Sequence, residues 1–169
     1  MNSSRRHALA GLAACLGTAL AAAPARAAKP AAGAAPAGPL VEVWKSPTCG
    51  CCKDWVTHME GHGFTVKVND SGNTAARKRL KVADKYGSCH TALVGGYVIE
   101  GHVPARDVQR LLKKRPAALG LAVPGMPVGS PGMDGPDYGN QKDPYDVLLL
   151  RADGSAAVFA SYNKPAAKA

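Results

Sequence analysis

Aromatic residues are scarce in this sequence: two Phe, two Trp and five Tyr among 169 residues. Gly (19) and Pro (13) together take close to a fifth of the chain, so the part that can bury a core is shorter than the chain itself. Acidic residues are few, 12 against 21 Lys and Arg. The length admits one ordinary domain and excludes multi-domain machinery, and no internal repeat is visible. A long, strongly apolar run is also missing. The stretch from Ala8 to Ala23 has sixteen residues, many of them weakly hydrophobic alanine. A spanning helix needs about 18 to 20 strongly apolar residues, so stable membrane insertion is not expected.

That stretch fits an export signal. Arg5-Arg6 precede it, and Ala25-Arg26-Ala27 follow with small residues where a signal peptidase cuts, which places cleavage after Ala27. The order Ser4-Arg5-Arg6-His7-Ala8-Leu9 resembles a twin-arginine signal, although the usual Phe after the arginine pair is absent. Leu12-Ala13-Ala14-Cys15 has the form of a lipoprotein box but follows too short an apolar stretch. Without residues 1–27 the net charge falls to +6. Residues 28–39 hold six Ala, three Pro, two Gly and one Lys, the composition of a tether. The expected domain is therefore 40–162, with a tail at 163–169, in a periplasmic location.

Periodicity sets out the domain. Val41 to Trp44 alternates as a strand, and Trp55, Val56 and Met59 share one face of a helix over Lys53 to Glu60 that Cys52 extends backwards. Phe64 to Val68 is a second strand. Asn73 is the expected N-cap of a helix running to Tyr86 with Ala76, Leu80 and Ala83 inward. Thr91 to Val94, Gly95-Gly96 and Tyr97 to Glu100 form a hairpin. Pro104 opens a third helix with Val108, Leu111 and Leu112 buried, and Lys113, Lys114 and Arg115 suit its C-terminal end. Pro116 to Pro144 reads as one long Gly/Pro loop, and Tyr145 to Leu150 with Ala156 to Ala160 as a C-terminal β-hairpin. The order β-α-β-α-β-β-α predicts an α/β fold of thioredoxin-like type.

Four cysteines survive processing, three of them within four residues: Cys49, Cys51, Cys52 and Cys89. In an oxidising compartment such thiols are paired, metal-bound or catalytic. The first three fall at a helix N-terminus, whose free N–H groups and positive dipole end favour thiolate. Cys49 and Cys52 have the redox C-x-x-C spacing, and Cys51 adds a sulfur that a dithiol catalyst does not need. In a thioredoxin-like fold the loop before the third strand lies against this helix end, so Cys89 and His90 should join the group. Zinc, iron–sulfur and Cu(I) all accept thiolates. Adjacent Cys51 and Cys52 suit bridging between several ions better than one tetrahedral zinc, which favours Cu(I), in a polynuclear thiolate cluster if several ions bind. Iron–sulfur runs are usually spaced differently, and two ordinary disulfides remain an alternative.

His90, His102, Met126 and Met133 form a second tier of soft or borderline ligands. A loop methionine also serves as a packing plug. His58 and His62, at i and i+4, read as a solvated pair, and Arg77, Lys78, Arg79, Lys81 and Lys85 as a solvated basic face. Nucleic acid is not an expected partner of an exported protein.

Four separated stretches, Trp44 to Cys52, Ser88-Cys89-His90-Thr91, Tyr97 to Pro104 and Pro124 to Met133, resemble the CopG-like family of small exported metal-binding proteins associated with bacterial copper resistance. The resemblance covers Leu40 to Tyr162. It implies a thioredoxin-like domain and copper handling in the periplasm with Cys49, Cys51, Cys52 and Cys89 as ligands; the expected partners are copper ions and a periplasmic copper donor or acceptor protein. Thioredoxins carry a cis-proline before the third strand and this chain does not, which argues against general disulfide exchange. The expected function is to hold Cu(I) on the thiolate cluster, with redox cycling between copper and thiols as an extension. The alternative is a thiol-disulfide oxidoreductase with Cys49 as nucleophile and Cys52 as resolving residue.

Overall fold

The computed structural model describes residues 38–139 and 141–165; the expected export signal, nearly all of the tether and the last four residues lie outside them. The described chain is mixed α/β. Its strands are β1 (Leu40–Lys45), β2 (Thr65–Asn69), β3 (His90–Val94), β4 (Tyr97–Glu100), β5 (Gly120–Ala122), β6 (Tyr145–Leu150) and β7 (Ala156–Tyr162). Its helices are α1 (Gly50–Gly61), α2 (Thr74–Arg79) and α3 (Ala105–Lys114). The strands form one sheet in the order β2-β1-β3-β4-β5-β6-β7. β1 runs parallel to β2, as the α1 crossover requires, and antiparallel to β3. β4 pairs antiparallel with β3 through the Gly95-Gly96 turn, where both glycines have positive φ.

The main core lies between one face of the sheet and the buried faces of α1 and α3. Val41, Val43, Ala92, Val94, Ile99, Leu121, Val123 and Val147 pack there with Trp55, Met59, Val108 and Leu111. Val98, one residue out of phase with Tyr97 and Ile99, joins Val82, Ala122 and Leu150 in a smaller cluster.

Two elements differ from the sequence reading. The second helix stops at Arg79 instead of reaching Tyr86, and Asp84–Tyr86 forms a separate 3-10 turn. Lys81 takes a left-handed conformation, its N–H bonds to the Lys78 carbonyl, and the Val82 N–H bonds to the Arg77 carbonyl. This pair of bonds closes a helix end of the Schellman type, usually marked by glycine. Val82, not Ala83, is therefore the buried residue. The expected loop from Pro116 to Pro144 contains β5 and a 3-10 turn at Pro136–Tyr138. β5 is fixed by its neighbours, β4 in parallel on one side and β6 antiparallel on the other. Three residues that include a glycine carry no periodicity of their own.

Candidate metal centre

α1 brings three cysteines to one point. Cys49 is its N-cap in extended conformation, with no side-chain capping bond, and the first turn holds no acid. No carboxylate of the first turn competes for the free N–H groups of this helix end, where the cysteines sit. Cys49 and Cys52 form a disulfide with Cα atoms 5.4 Å apart, while Cys51 and Cys89 are free. Cys51 Sγ lies 3.5 Å from Cys49 Sγ and 3.9 Å from Cys89 Sγ. The four sulfur atoms are within 4.8 Å of one another, so the expected meeting of Cys89 with the helix cysteines is realised.

Cys89 also belongs to a second group with His90 and His102. His102 Nδ1 donates to the Pro131 carbonyl at 2.8 Å, and a carbonyl only accepts, so the lone pair of neutral His102 is on Nε2. That nitrogen lies 3.0 Å from Cys89 Sγ, placed to accept the thiol proton or to bind a metal beside the sulfur. His90 is fully buried against Trp55, with Nδ1 at 3.4 Å from Cys89 Sγ and Nε2 without a partner. Burial, with His102 close by, holds the His90 imidazole well below its usual range, and burial lowers His102 as well. Burial, followed by the neighbouring Cys51, pushes the Cys89 thiol up to about 12. Burial thus favours the neutral, lone-pair form of both imidazoles and the thiol form of Cys89, so a cation that binds this sulfur must displace its proton.

The Pro124–Met133 segment wraps the site. Gly132, at φ +83°, passes so close to α1 that a Cβ would stand 2.5 Å from the Cys51 carbonyl oxygen. Met133 is buried. Met126 is half exposed and lines a cleft of about 380 Å³ together with Cys89, Ser88 and Arg77. The structure therefore gathers the four cysteines, His90 and His102, sets Met126 at the rim and buries Met133 in the wrapping segment.

Sequence reasoning missed the supports of this site. Arg77, read as part of a solvated basic face, turns inward and pairs with the fully buried Glu100 at 2.9 Å. Burial pushes the Glu100 carboxyl upward, against the pull of Thr91, Ser88 and Arg77. The signal was Glu100 itself, an acid continuing an apolar strand, which needs a buried cation or several donors. His58 is likewise not simply solvated: its Nε2 accepts the Ala105 N–H at 3.1 Å at the start of α3.

Sheet, helices and site together define a mixed α/β protein with a sulfur–imidazole cluster of metal-binding composition. Residues 86–133 match a family described as "Protein of unknown function, DUF411". No curated protein matches. Two solved structures do. One, titled copper resistance protein CopG, form 2, is 44% identical, with a TM-score of 0.69 over 74% of this chain and 98% of its own. The other, form 1 of the same title, is also 44% identical, with a TM-score of 0.67 over 73% and 96%. The chain belongs to the CopG-like family.

Proposed function

We propose that this protein is an exported copper-handling protein that holds Cu(I) on the thiolates of Cys49, Cys51, Cys52 and Cys89. In this reading residues 1–27 are a removed signal, 28–39 a tether, 40–162 a thioredoxin-like domain and 163–169 a tail. The frame is supported by the strand order β2-β1-β3-β4, with β3 antiparallel to β1 and β4. A periplasmic location is consistent with the absence, among the described residues, of any helix long and apolar enough to cross a membrane.

The observation that carries the reading is the donor set: four sulfurs mutually within 4.8 Å, with imidazoles against Cys89 and no carboxylate in either ligand group. Sulfur and imidazole select soft and borderline metals over Mg²⁺ or Ca²⁺, and adjacent cysteines favour thiolate-bridged Cu(I) over a single zinc. The copper-resistance titles of the two structural relatives point the same way. His90, His102, Met126 and Met133 are the further ligands in this reading, and the copper passes to or from a partner protein.

The test is to reduce the protein, load it anaerobically and count Cu, Zn and Fe per chain. Copper should exceed both other metals, and each single Cys→Ser variant should lose most of it. Full copper retention in Cys89→Ser would remove the long-range arm of the site.

The Cys49–Cys52 disulfide favours a second reading, thiol–disulfide exchange. The two readings join if the reduced dithiol gives two electrons to two Cu(II) ions, forming the disulfide, two Cu(I) and two protons, with Cys51 and Cys89 left as the sulfur donors of that state. Cu(II) added to reduced protein should lose its electron paramagnetic resonance signal as thiols disappear. A persistent signal with all four thiols intact leaves binding alone.

A further inference from the structure

Cys49, Cys51 and Cys52 are fixed relative to one another by sharing the start of α1, but Cys89 arrives from a loop 37 residues after Cys52. The residue before it, Ser88, is held at both its backbone N–H and its carbonyl by side chains. The Ser88 N–H donates to Glu100 Oε1 at 2.8 Å. The Ser88 carbonyl accepts Asn73 Nδ2 at 3.1 Å and a second bond from Arg77 Nη2. Arg77 Nε donates to Glu100 Oε1 at 2.9 Å, closing a ring of two side chains, Arg77 and Glu100, on the Ser88 backbone, with Asn73 bonded to it from outside. Thr91 Oγ1 donates to the other oxygen of Glu100 at 2.6 Å, and the Ser88 hydroxyl donates to the Gly125 carbonyl.

Net stability is a poor explanation for such an arrangement. Taking a carboxylate and a guanidinium out of water offsets most of their attraction, and well-packed apolar residues commonly serve a core as well or better. Such a buried pair does supply directional bonds at fixed points, here to both backbone polar atoms of Ser88. We propose that Glu100, Arg77 and Asn73 form a clamp that positions Cys89, setting its sulfur against Cys51 and His102 by gripping the Ser88 peptide from β4 on one side and α2 on the other. These are positioning residues, and none of them is a ligand. Displacements of about 1 Å cost roughly a hundredfold where reacting atoms must meet, and the 3.9 Å between Cys51 and Cys89 sulfurs leaves little slack.

The clamp is built from the chain's own side chains and needs no metal, and its consequence for copper rests on the function proposed above. The clamp is tested on the full chain carrying the Cys49–Cys52 disulfide, and copper uptake on the reduced chain. Diamide takes two electrons and two protons from the Cys51 and Cys89 thiols, forming their disulfide and a hydrazine. The closure rate is followed by mass spectrometry of the linked peptides, with circular dichroism reporting the fold. Arg77→Met should close at least about tenfold more slowly than wild type, Arg77→Lys should recover part of the rate, and Asn73→Ala should fall between. Copper per reduced chain should fall in the same order.

Folded Arg77→Met closing at the wild-type rate overturns the clamp. If Arg77→Met does not fold, Asn73→Ala decides: it removes one of two donors to the Ser88 carbonyl and leaves the ion pair, and an unchanged rate again overturns the proposal. Slowed closure in the variants of a wild type that takes up no copper upholds the clamp and removes the copper reading.

Discussion

The two long helices begin in opposite ways. α1 starts at Cys49 with no side chain bonding its free N–H groups and no acid in its first turn. α3 starts at Pro104, its Ala105 N–H is taken by the His58 imidazole, and Asp107 lies in its first turn. An uncapped N-terminus costs about 1 kcal/mol relative to a capped one. α3 has been closed as a structural element, whereas α1 leaves its positive end to the sulfur atoms. The two ends are also tied together: Trp55, one turn into α1, donates through Nε1 to the carbonyl of Val103, just ahead of the Pro104 cap. The difference separates what the fold needs from what the site needs.

The largest effect should come from cutting the tie. Trp55 is fully buried, packs against His90 with the rings tilted and their centroids 4.4 Å apart, and makes that single hydrogen bond. Trp55→Ala should destabilise by about 3–5 kcal/mol through lost burial and the cavity left behind. Urea unfolding checks this, and a loss under about 1 kcal/mol would show that the two helix starts are held independently.

A smaller effect should come from making α1 resemble α3. An Asp at the N-cap can accept the N–H groups of positions 51 and 52 and sits favourably at the positive end of the dipole. Measured in reductant, so that no disulfide contributes, Cys49→Asp should be about 1 kcal/mol more stable than Cys49→Ala, and both should lose copper. Equal melting temperatures would mean that the helix end is already satisfied by water.

The contrast between these ends was half legible in the sequence. The cysteine spacing and the apolar phase of Trp55, Val56 and Met59 placed the cluster at a helix start, because 3.6-residue periodicity is local. The order of elements through α3 followed from the strand, helix and hairpin signals, and the approach of Cys89 was expected by analogy with a thioredoxin-like arrangement of that order. The Lys81 helix stop escaped because its left-handed residue is not glycine, and β5 escaped because three residues carry no period. The clamp escaped for a different reason: Arg77 and Glu100 are 23 residues apart, and nothing local shows that a basic residue on a charged helix faces inward. His58 escaped in the same way, since its partner is a backbone N–H 47 residues on.

His58 supplies the smallest and most specific test, because it can cap α3 only while neutral. Its Nε2 needs a lone pair to accept the Ala105 N–H, and a positive ring would stand at the positive end of the helix dipole. Burial, with the nearby His62 adding to it, lowers its pKa from 6.5, and Asp134 pulls the other way. The unfolded chain therefore binds this proton at a higher pH than the folded one. Nothing is lost well above pH 6.5; stability falls as pH drops through 6.5 toward the folded value and levels off below it. His90 and His102, also lowered by burial, add to the same slope, so the measurement is a difference. A glutamine amide oxygen can accept the Ala105 N–H and does not titrate. His58→Gln should match wild type at pH 7.5 and lose less stability than wild type between pH 6.5 and 5, read by urea unfolding at each pH. Parallel profiles over that range would show that His58 does not hold the Ala105 N–H, and the start of α3 would then rest on Asp107 alone.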